Sequence, residues 1–476
     1  MRFPLFGICA LLLFPLIFSS CSKQTLKGET NANKQIDVSN GEMNGNTLHL
    51  QVKKKVLSNG LRVLVHENHK LPILSISVLY DVGGRYESRQ EKTTGATHFL
   101  EHMMFKGSKN YAQGQFDTLI EKSGGSTNAY TTFDSTVYYE NLPSAMLPNI
   151  MDMEADRMSN LLLDADAFEK ERKVIFEERK YRYENSPNGK LFLRMMQEAF
   201  KGTPYGGSVI GDESDLKALT RDQVFSFYQQ FYAPNNAILI VTGDVDSSEV
   251  FRLAQEHFSK IPERIGLSEF KQKKDASENF KLRSKLSGSL NLHGQSPSPL
   301  FAFVYAGEAL GTQRAFVMDI VASILGSGQS SFLVQQYVKS RRPILNNISV
   351  SNYNMQNSGL FFVTGELLKG VSLSKFHDRF LREGKRFCRQ SINERNLQKT
   401  RNQFLIGYLD ELKTNAGVAG FLGTREKFFG DYEYYKKELE TYNSISQEEA
   451  LKVCEEIFLP GKALFVSLWE KNPKTK

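Results

Sequence analysis

The stretch His98-Phe99-Leu100-Glu101-His102 holds the residue types from which metal-dependent hydrolases are built. On a helix, residues four apart share a face, so His98 and His102 can grip one metal ion while Glu101, three after His98, projects beside them. Two neutral imidazoles suit zinc, and a third protein ligand would leave the fourth position of a tetrahedral site open. In a chain with only eight histidines the pattern arises by accident with odds on the order of 10⁻². The segment Glu171-Arg172-Lys173-Val174-Ile175-Phe176-Glu177-Glu178 offers the third ligand. Glu171 and Glu178 are two helical turns apart and share a face with Val174 and Ile175. Acids on such a stripe require a partner, although charged helix surfaces are ordinarily solvated.

Helices and a sheet must position these groups. Helical periodicity covers 94–106, which carries the histidines, then 114–123, 145–160 and 164–183, which carries the glutamates. Strand patterns occupy 71–80, 136–140 and 237–244, and Asn59-Gly60 between two β-type runs within 55–65 signals a hairpin. Strands first and last, with helices between, predict an α+β fold in which helices cover a largely antiparallel sheet. The order then repeats. Pro72-Ile73-Leu74-Ser75-Ile76 is matched by Pro299-Leu300-Phe301-Ala302-Phe303, and Ala237-Ile238-Leu239 by Ala463-Leu464-Phe465, at offsets that agree within one residue. Two homologous domains are therefore expected, over 51–260 and 286–476. A polar linker at 261–285 would let them close on each other as a clamshell. The turn Gly326-Ser327-Gly328-Gln329-Ser330-Ser331 is no phosphate loop, because no Gly-Lys-Ser/Thr follows it.

Composition narrows the function classes. At 476 residues, 40% hydrophobic and 24% charged, the chain can bury large cores, which excludes collagen-like, coiled-coil and wholly disordered classes. The net charge of +7 is small for this length and not gathered into one block, so nucleic acid is not an expected partner. At the N-terminus, an apolar run from Phe3 to Phe18 after Arg2 marks residues 1–20 as a secretory signal peptide. Ser19-Ser20-Cys21 resembles a bacterial lipobox, with Phe18 in place of the usual Leu. Cys21 is expected to be the lipidated first residue of the mature chain, with ordinary cleavage or an uncleaved anchor as the alternatives. That places the protein on the periplasmic face of a bacterial cell envelope, and Ser22 favours the outer membrane. Residues 21–50 are expected to be a flexible tether. Beyond Cys9 and Cys21 only Cys388 and Cys454 remain, so at most one disulfide is available, and both read as small buried hydrophobes.

On these residues the chain resembles the pitrilysin/insulinase-type zinc peptidases, the inverzincins, and within them the mitochondrial-processing-peptidase branch and its bacterial relatives. The likeness runs through Leu57-Ser58-Asn59-Gly60-Leu61, the segment from Gly95 to Gly107 around the histidines, and Gly124-Gly125-Ser126-Thr127-Asn128-Ala129-Tyr130-Thr131. It continues in Pro204-Tyr205, Ile210-Gly211 and Tyr232-Ala233-Pro234-Asn235-Asn236-Ala237. The resemblance implies zinc held by His98, His102 and Glu178, with Glu177 the neighbouring candidate, and Glu171 orienting the site. It implies Glu101 as the general base that takes a proton from the attacking water and later delivers it to the leaving amine. It places Asn128 and Ala129 on a strand edge that holds extended peptide by β-augmentation. Asn128 could instead shape the turn after Gly124-Gly125.

One feature departs from the family. Catalytic relatives carry an Arg and, seven residues later, a Tyr in the second half, where this chain has Lys339 and Asn346; Arg341 and Tyr353 stand at the wrong spacing. The first expectation is a zinc endopeptidase that acts on extended peptides. It would act alone, as a homodimer using Lys339, or as the metal-bearing subunit of a heterodimer whose paralogous partner supplies the Arg/Tyr pair. The alternative is a peptide-binding or assembly subunit with little hydrolysis.

Overall fold

The computed structural model describes residues 37–38, 41–44, 47–282 and 286–470; the signal peptide, the Cys21 site and most of the tether lie outside the described residues. Within the expected tether, β1 (Asp37–Val38), β2 (Gly41–Asn44) and β3 (Thr47–His49) form an antiparallel meander. Leu48 and Leu50 are buried there. These alternating leucines just past the polar run find apolar surface to pack on, which overrides the local composition.

The first sheet contains β4 (Lys53–Val56), β5 (Arg62–Glu67), β6 (Ile73–Tyr80), β7 (Ser126–Thr131), β8 (Thr136–Pro143) and β9 (Ala237–Gly243). Its order is β4-β5-β9-β6-β8-β7, antiparallel throughout except for the parallel pair β5/β9. Asn59 and Gly60 turn β4 into β5, and Gly60 sits at φ +84°, where a Cβ would also meet Asn235 at 2.7 Å, so only glycine fits. The second sheet contains β10 (Gly288–His293), β11 (Leu300–Ala306), β12 (Leu345–Asn354), β13 (Gly359–Leu367) and β14 (Leu464–Trp469), in the order β10-β14-β11-β13-β12. The duplication read from sequence is thus repeated in strand order. Arg62 stands opposite Ile238 in the first parallel pair as Gly288 stands opposite Leu464 in the second.

The helices that carry the site, α1 (Ala96–Met103), α2 (Gln115–Lys122), α3 (Leu147–Ser159) and α4 (Ala165–Arg179), fall where the 3.6-residue pattern predicts. The pattern over 164–183 overruns α4 into a single π turn, Lys180–Glu184. Phe99, Met103, Ile150, Phe168 and Ile175 from these helices bury against Val63, Val65, Ile76 and Val78 of the sheet. The two halves meet through an exchange. Helix α5 (Pro187–Ala199) of the first half inserts Leu191, Met195 and Met196 against Ala302, Val304 and Val466 of the second sheet. Reciprocally, the helix Asn415–Phe429 lays Val418, Phe421 and Leu422 on Leu64, Leu79 and Ile240 of the first.

Two expectations are corrected. Where an exposed linker was expected, the helix Leu267–Ser277 is tied down: Lys271 pairs with Asp81, Asp275 with Arg85, and Lys274 Nζ donates to the Tyr86 carbonyl at 2.8 Å. The polar residues that suggested solvent serve instead as partners for buried charge; Arg85 is 1% exposed. Cys388 and Cys454, read as separate small hydrophobes, form a disulfide between the helices Leu373–Ser391 and Gln447–Ile457. Both sulfurs lie in the second core, where the helices bring them together across a sequence gap that spacing alone does not bridge. Among the described residues no helix is long and apolar enough to cross a membrane.

Candidate metal centre

Helix α1 is interior on nearly all sides, with only His102 half-exposed among its eight residues. Phe99, Leu100 and Met103 are fully buried, each contributing roughly 1.5–3 kcal/mol, and they draw the polar residues of the same helix down with them. Its N-terminus follows Gly95, at φ +90°, where a Cβ would strike the Ile210 carbonyl oxygen at 2.3 Å. The free N–H groups of Gly95 and Thr97 both donate to the buried Glu87 carboxylate at 2.8 Å. Helix α4 starts at Asp164, whose side chain accepts from the Ala167 N–H at 2.8 Å. Its face bearing Glu171 and Glu178 lies against α1.

Three ligand-type atoms converge between these helices, all within 4.8 Å of one another, one each from His98, His102 and Glu178. Glu178 Oε2 lies 3.2 Å from His102 Nε2 and 3.6 Å from His98 Nε2. Two ligands about 2.1 Å from one ion at the tetrahedral angle stand about 3.4 Å apart, so the spacing suits a shared metal. The other Glu178 oxygen accepts from Arg182 at 2.7 Å. His102 Nδ1 stands 2.9 Å from Glu171 Oε1, and Lys106 Nζ lies 2.8 Å from the other Glu171 oxygen. Nδ1 of His98 is buried without a protein partner. Glu177 is 72% exposed and paired with Lys180, turned away from the imidazoles.

The protonation pattern describes a hole for positive charge. Burial, together with the His102 charge, holds His98 down to about 3 and so neutral. Burial would also lower His102, but the bonds to Glu171 and Glu178 outweigh it and raise this imidazole to about 9. Glu178, which burial alone would push up, is held at about 2 by His102, His98 and Arg182. Two carboxylates thus hold a proton on His102 at the place where a divalent cation would serve better, and the donor set fits a metal on that ground. Glu101 is 9% exposed beside the group; burial raises its carboxyl, opposed by His102 and by the Thr131 hydroxyl that donates to Oε2.

Thr131 ends β7, the outer strand of the first sheet. Asn128 and Ala129 lie on that strand as the resemblance implied, Asn128 exposed and Ala129 buried, and Asn128 Oδ1 accepts from the Ala129 N–H at 2.8 Å. Strand β7 thus forms the outer edge of the sheet beside Glu101. The second-half residues are not drawn in. Lys339 and Arg341 are exposed, Asn346 Nδ2 donates to Glu366 at 3.0 Å, and the Tyr353 ring packs on Phe192. Among the described residues no hydrogen bond or ion pair joins any of them to the His-His-Glu group. Sequence reasoning passed over Glu87, Lys106, Thr131 and Arg182. Thr131 and Lys106 stood inside quoted motifs without a reason to single them out, and Glu87 and Arg182 act through geometry that no spacing rule reveals.

Comparison with known proteins bears on this geometry. The insulinase (peptidase family M16) profile matches residues 62–213, and that of the peptidase M16 inactive domain matches residues 218–404. The chain is 30% identical over 384 residues to the zinc protease PqqE of Helicobacter pylori, covering 79% of this chain and 82% of that one. It is 28% identical over 383 residues to the mitochondrial-processing peptidase subunit beta of Lentinula edodes, covering 77% and 79%. The crystal structure of a protease from Helicobacter pylori superimposes with a TM-score of 0.80 at 26% identity, covering 88% of this chain and 99% of that one. With matching sequence over both halves, the same two-sheet architecture and a His-His-Glu group at the first-half helices, the chain belongs to the insulinase family of peptidases, family M16.

Proposed function

We propose that the protein is a zinc-dependent endopeptidase acting on extended peptides. The observation that carries this reading is the convergence of His98, His102 and Glu178 within 4.8 Å beside the buried Glu101. His98 and His102 through Nε2, and Glu178 through Oε2, would hold the ion, and Glu171 keeps the His102 ring in its tautomer. Zinc bound there would supply Lewis acidity and bring the pKa of a water near 7. Glu101 takes the proton of the attacking water and passes it to the leaving amine, with Thr131 fixing the orientation of its carboxylate. The edge of β7 aligns the peptide backbone by strand addition, so the site favours unfolded segments over folded surfaces.

The oxyanion stabiliser is the missing piece. Lys339 and Asn346 occupy the places of the family's Arg and Tyr, and Asn346 is already bonded to Glu366. A second chain supplying an Arg/Tyr pair is the arrangement we favour, and similarity to a protein named as a subunit supports it. A homodimer using Lys339 and a slow single chain are the other outcomes. The reading extends to the N-terminus: lipidation at Cys21 would hold the enzyme on the periplasmic face of a bacterial envelope, with the outer membrane favoured. The test is zinc content together with hydrolysis of an unstructured peptide, by the purified chain alone and with whatever co-purifies. About one zinc per chain and hydrolysis that rises with the partner are expected. A zinc-bearing chain that binds but never cleaves, alone or with its partner, would establish the peptide-binding alternative.

A further inference from the structure

The two sheets are built alike, and their outer edges on the β5 and β10 side differ in one respect. In the first half, β4 pairs antiparallel with β5, Lys55 opposite Val63 and Lys53 opposite Val65. In the second half, β10 pairs with β14, and among the described residues no strand lies on its other edge. The residues before β10 are engaged elsewhere: Phe280 is buried against Tyr205, and Leu282 packs in the core shared between the halves. Among the described residues, then, that edge is left without a further strand.

The face beside that edge is open as well. In the first half the helix Ser247–Phe258 follows β9 and covers Val63 and Val65 with Val250, Leu253 and Phe258. Among the described residues no helix follows β14, and a cavity of about 490 Å³ lies at the corresponding place. Phe465, Trp469, Val371 and Leu373 give it apolar walls, and Ser289 and Asn291 of β10 stand at the positions of Val63 and Val65. No lining residue is an acid, lysine or arginine. An exposed edge with valines at these positions would be an aggregation hazard; a serine and an asparagine keep the face wettable while the ladder groups remain usable. The volume falls in the range of small-ligand sites and exceeds what one large side chain fills.

We propose that the β10 edge and the adjoining cavity form a second peptide site: an extended segment adds antiparallel to β10, as β4 does to β5, and drops an uncharged aromatic or aliphatic side chain against Trp469 and Phe465. Backbone pairing supplies affinity without sequence preference, and the largely apolar cavity, with His377 at its wall, selects the side chain that points into it. This site lies on the opposite sheet from the His-His-Glu group and on a different edge from β7. It rests on the reading of the protein as one that handles extended peptides, and it would hold one part of a long substrate while another part reaches β7.

The chain carries its own reporter, because Trp469 is the single tryptophan of the sequence and is half-buried in the cavity wall. The experiment follows Trp469 emission in the full-length Glu101→Gln protein while an unstructured Ser/Thr-rich peptide with one central Phe, roughly ten residues long, is added. A saturable spectral change is expected. Replacing the Phe by Asp should weaken it at least about tenfold, and so should N-methylating alternate amides of the peptide, because each removes one half of the recognition. Ser289→Arg, at an exposed position, should weaken binding similarly while leaving zinc content and cleavage of a very short peptide unchanged. No saturable change, or a change indifferent to N-methylation, overturns the proposal. An emission that depends on protein concentration with no peptide present overturns it also, in favour of a second copy of the chain on the edge. If Trp469 responds but wild-type protein never cleaves the same peptide, the peptidase reading fails and this site stands. If cleavage proceeds with Trp469 silent, the site alone fails.

Discussion

Glu171 Oε1 stands 2.9 Å from Nδ1 of His102, and this pair decides which ring nitrogen faces His98 and Glu178. With Nδ1–H donated to the Glu171 carboxylate, Nε2 is the ring nitrogen left facing Glu178 Oε2, 3.2 Å away. Lys106 holds the other Glu171 oxygen, so the orienting acid is itself oriented.

Glu171→Ala should weaken zinc binding about 10- to 100-fold without abolishing it, because the ligands remain and only their orientation is lost. Competition with a chelator of known affinity measures this. Loss of His98 or His102 should remove the metal at the same zinc concentration.

Glu101→Gln should retain the metal and lower turnover about 10²- to 10⁴-fold, the usual consequence of removing a general base. Thr131→Val should also retain it and lower turnover roughly tenfold, since one hydrogen bond to a charged group contributes about 1.5 kcal/mol. Equal turnover in wild type and Glu101→Gln would remove Glu101 from the mechanism.

Arg85 pairs with Asp134, 3.2 Å away, and with Asp275 of the helix between the halves, and has almost no exposure. Arg85→Met leaves the buried Asp134 with its hydrogen bonds from Tyr205 and Gln356 but without its ion pair, and unfolding by denaturant should show a loss of up to about 3 kcal/mol. Adding Asp134→Asn should recover part of it, which a purely steric effect of methionine would not allow.

The Glu87 carboxyl is raised to about 7, chiefly by burial and against the N–H bonds from Thr97 and Gly95. A carboxyl raised on folding binds its proton more tightly in the folded chain. Its stabilising contribution is therefore full below about 4.5, the value in the unfolded chain, and is lost as pH rises through about 7. Glu87→Gln should flatten the fall in stability across that interval, by on the order of 3 kcal/mol between its ends. Denaturation midpoints of both proteins across the interval measure the difference.

The Cys388–Cys454 bond closes a loop spanning 66 residues, and opening it should lower stability by about 4 kcal/mol. The folded protein should show no thiol from this pair under denaturing, non-reducing conditions. Two free thiols there would mean that the chain folds without the bond.

The pairing of His98 with His102, and of Glu171 with Glu178, on one helix face each could be read from the sequence, because residues four or seven apart share a face, and the family resemblance singled out Glu178 among the acids. The turn of α4 sends Glu178 to the imidazoles and its neighbour Glu177 to Lys180. The α+β class and the repeat were legible in alternation and offset. The linker was misread because Lys271 and Asp275 look solvated until Asp81 and Arg85 are placed opposite them. The disulfide escaped because two cysteines far apart in sequence carry no sign of meeting, and the exchange of helices escaped because amphipathic stripes show that a helix has a buried face without showing which sheet it covers.

That exchange bears on how the chain is made. The first sheet receives one of its covering helices only when residues 415–429 arrive, so synthesis cannot finish one half before starting the other. Until then Leu64, Leu79 and Ile240 of the first sheet remain exposed, and a fragment cut between the halves would be expected to aggregate instead of folding. Contacts this distant along the chain make folding slow, because the ends of a long loop must meet before the first sheet gains this cover.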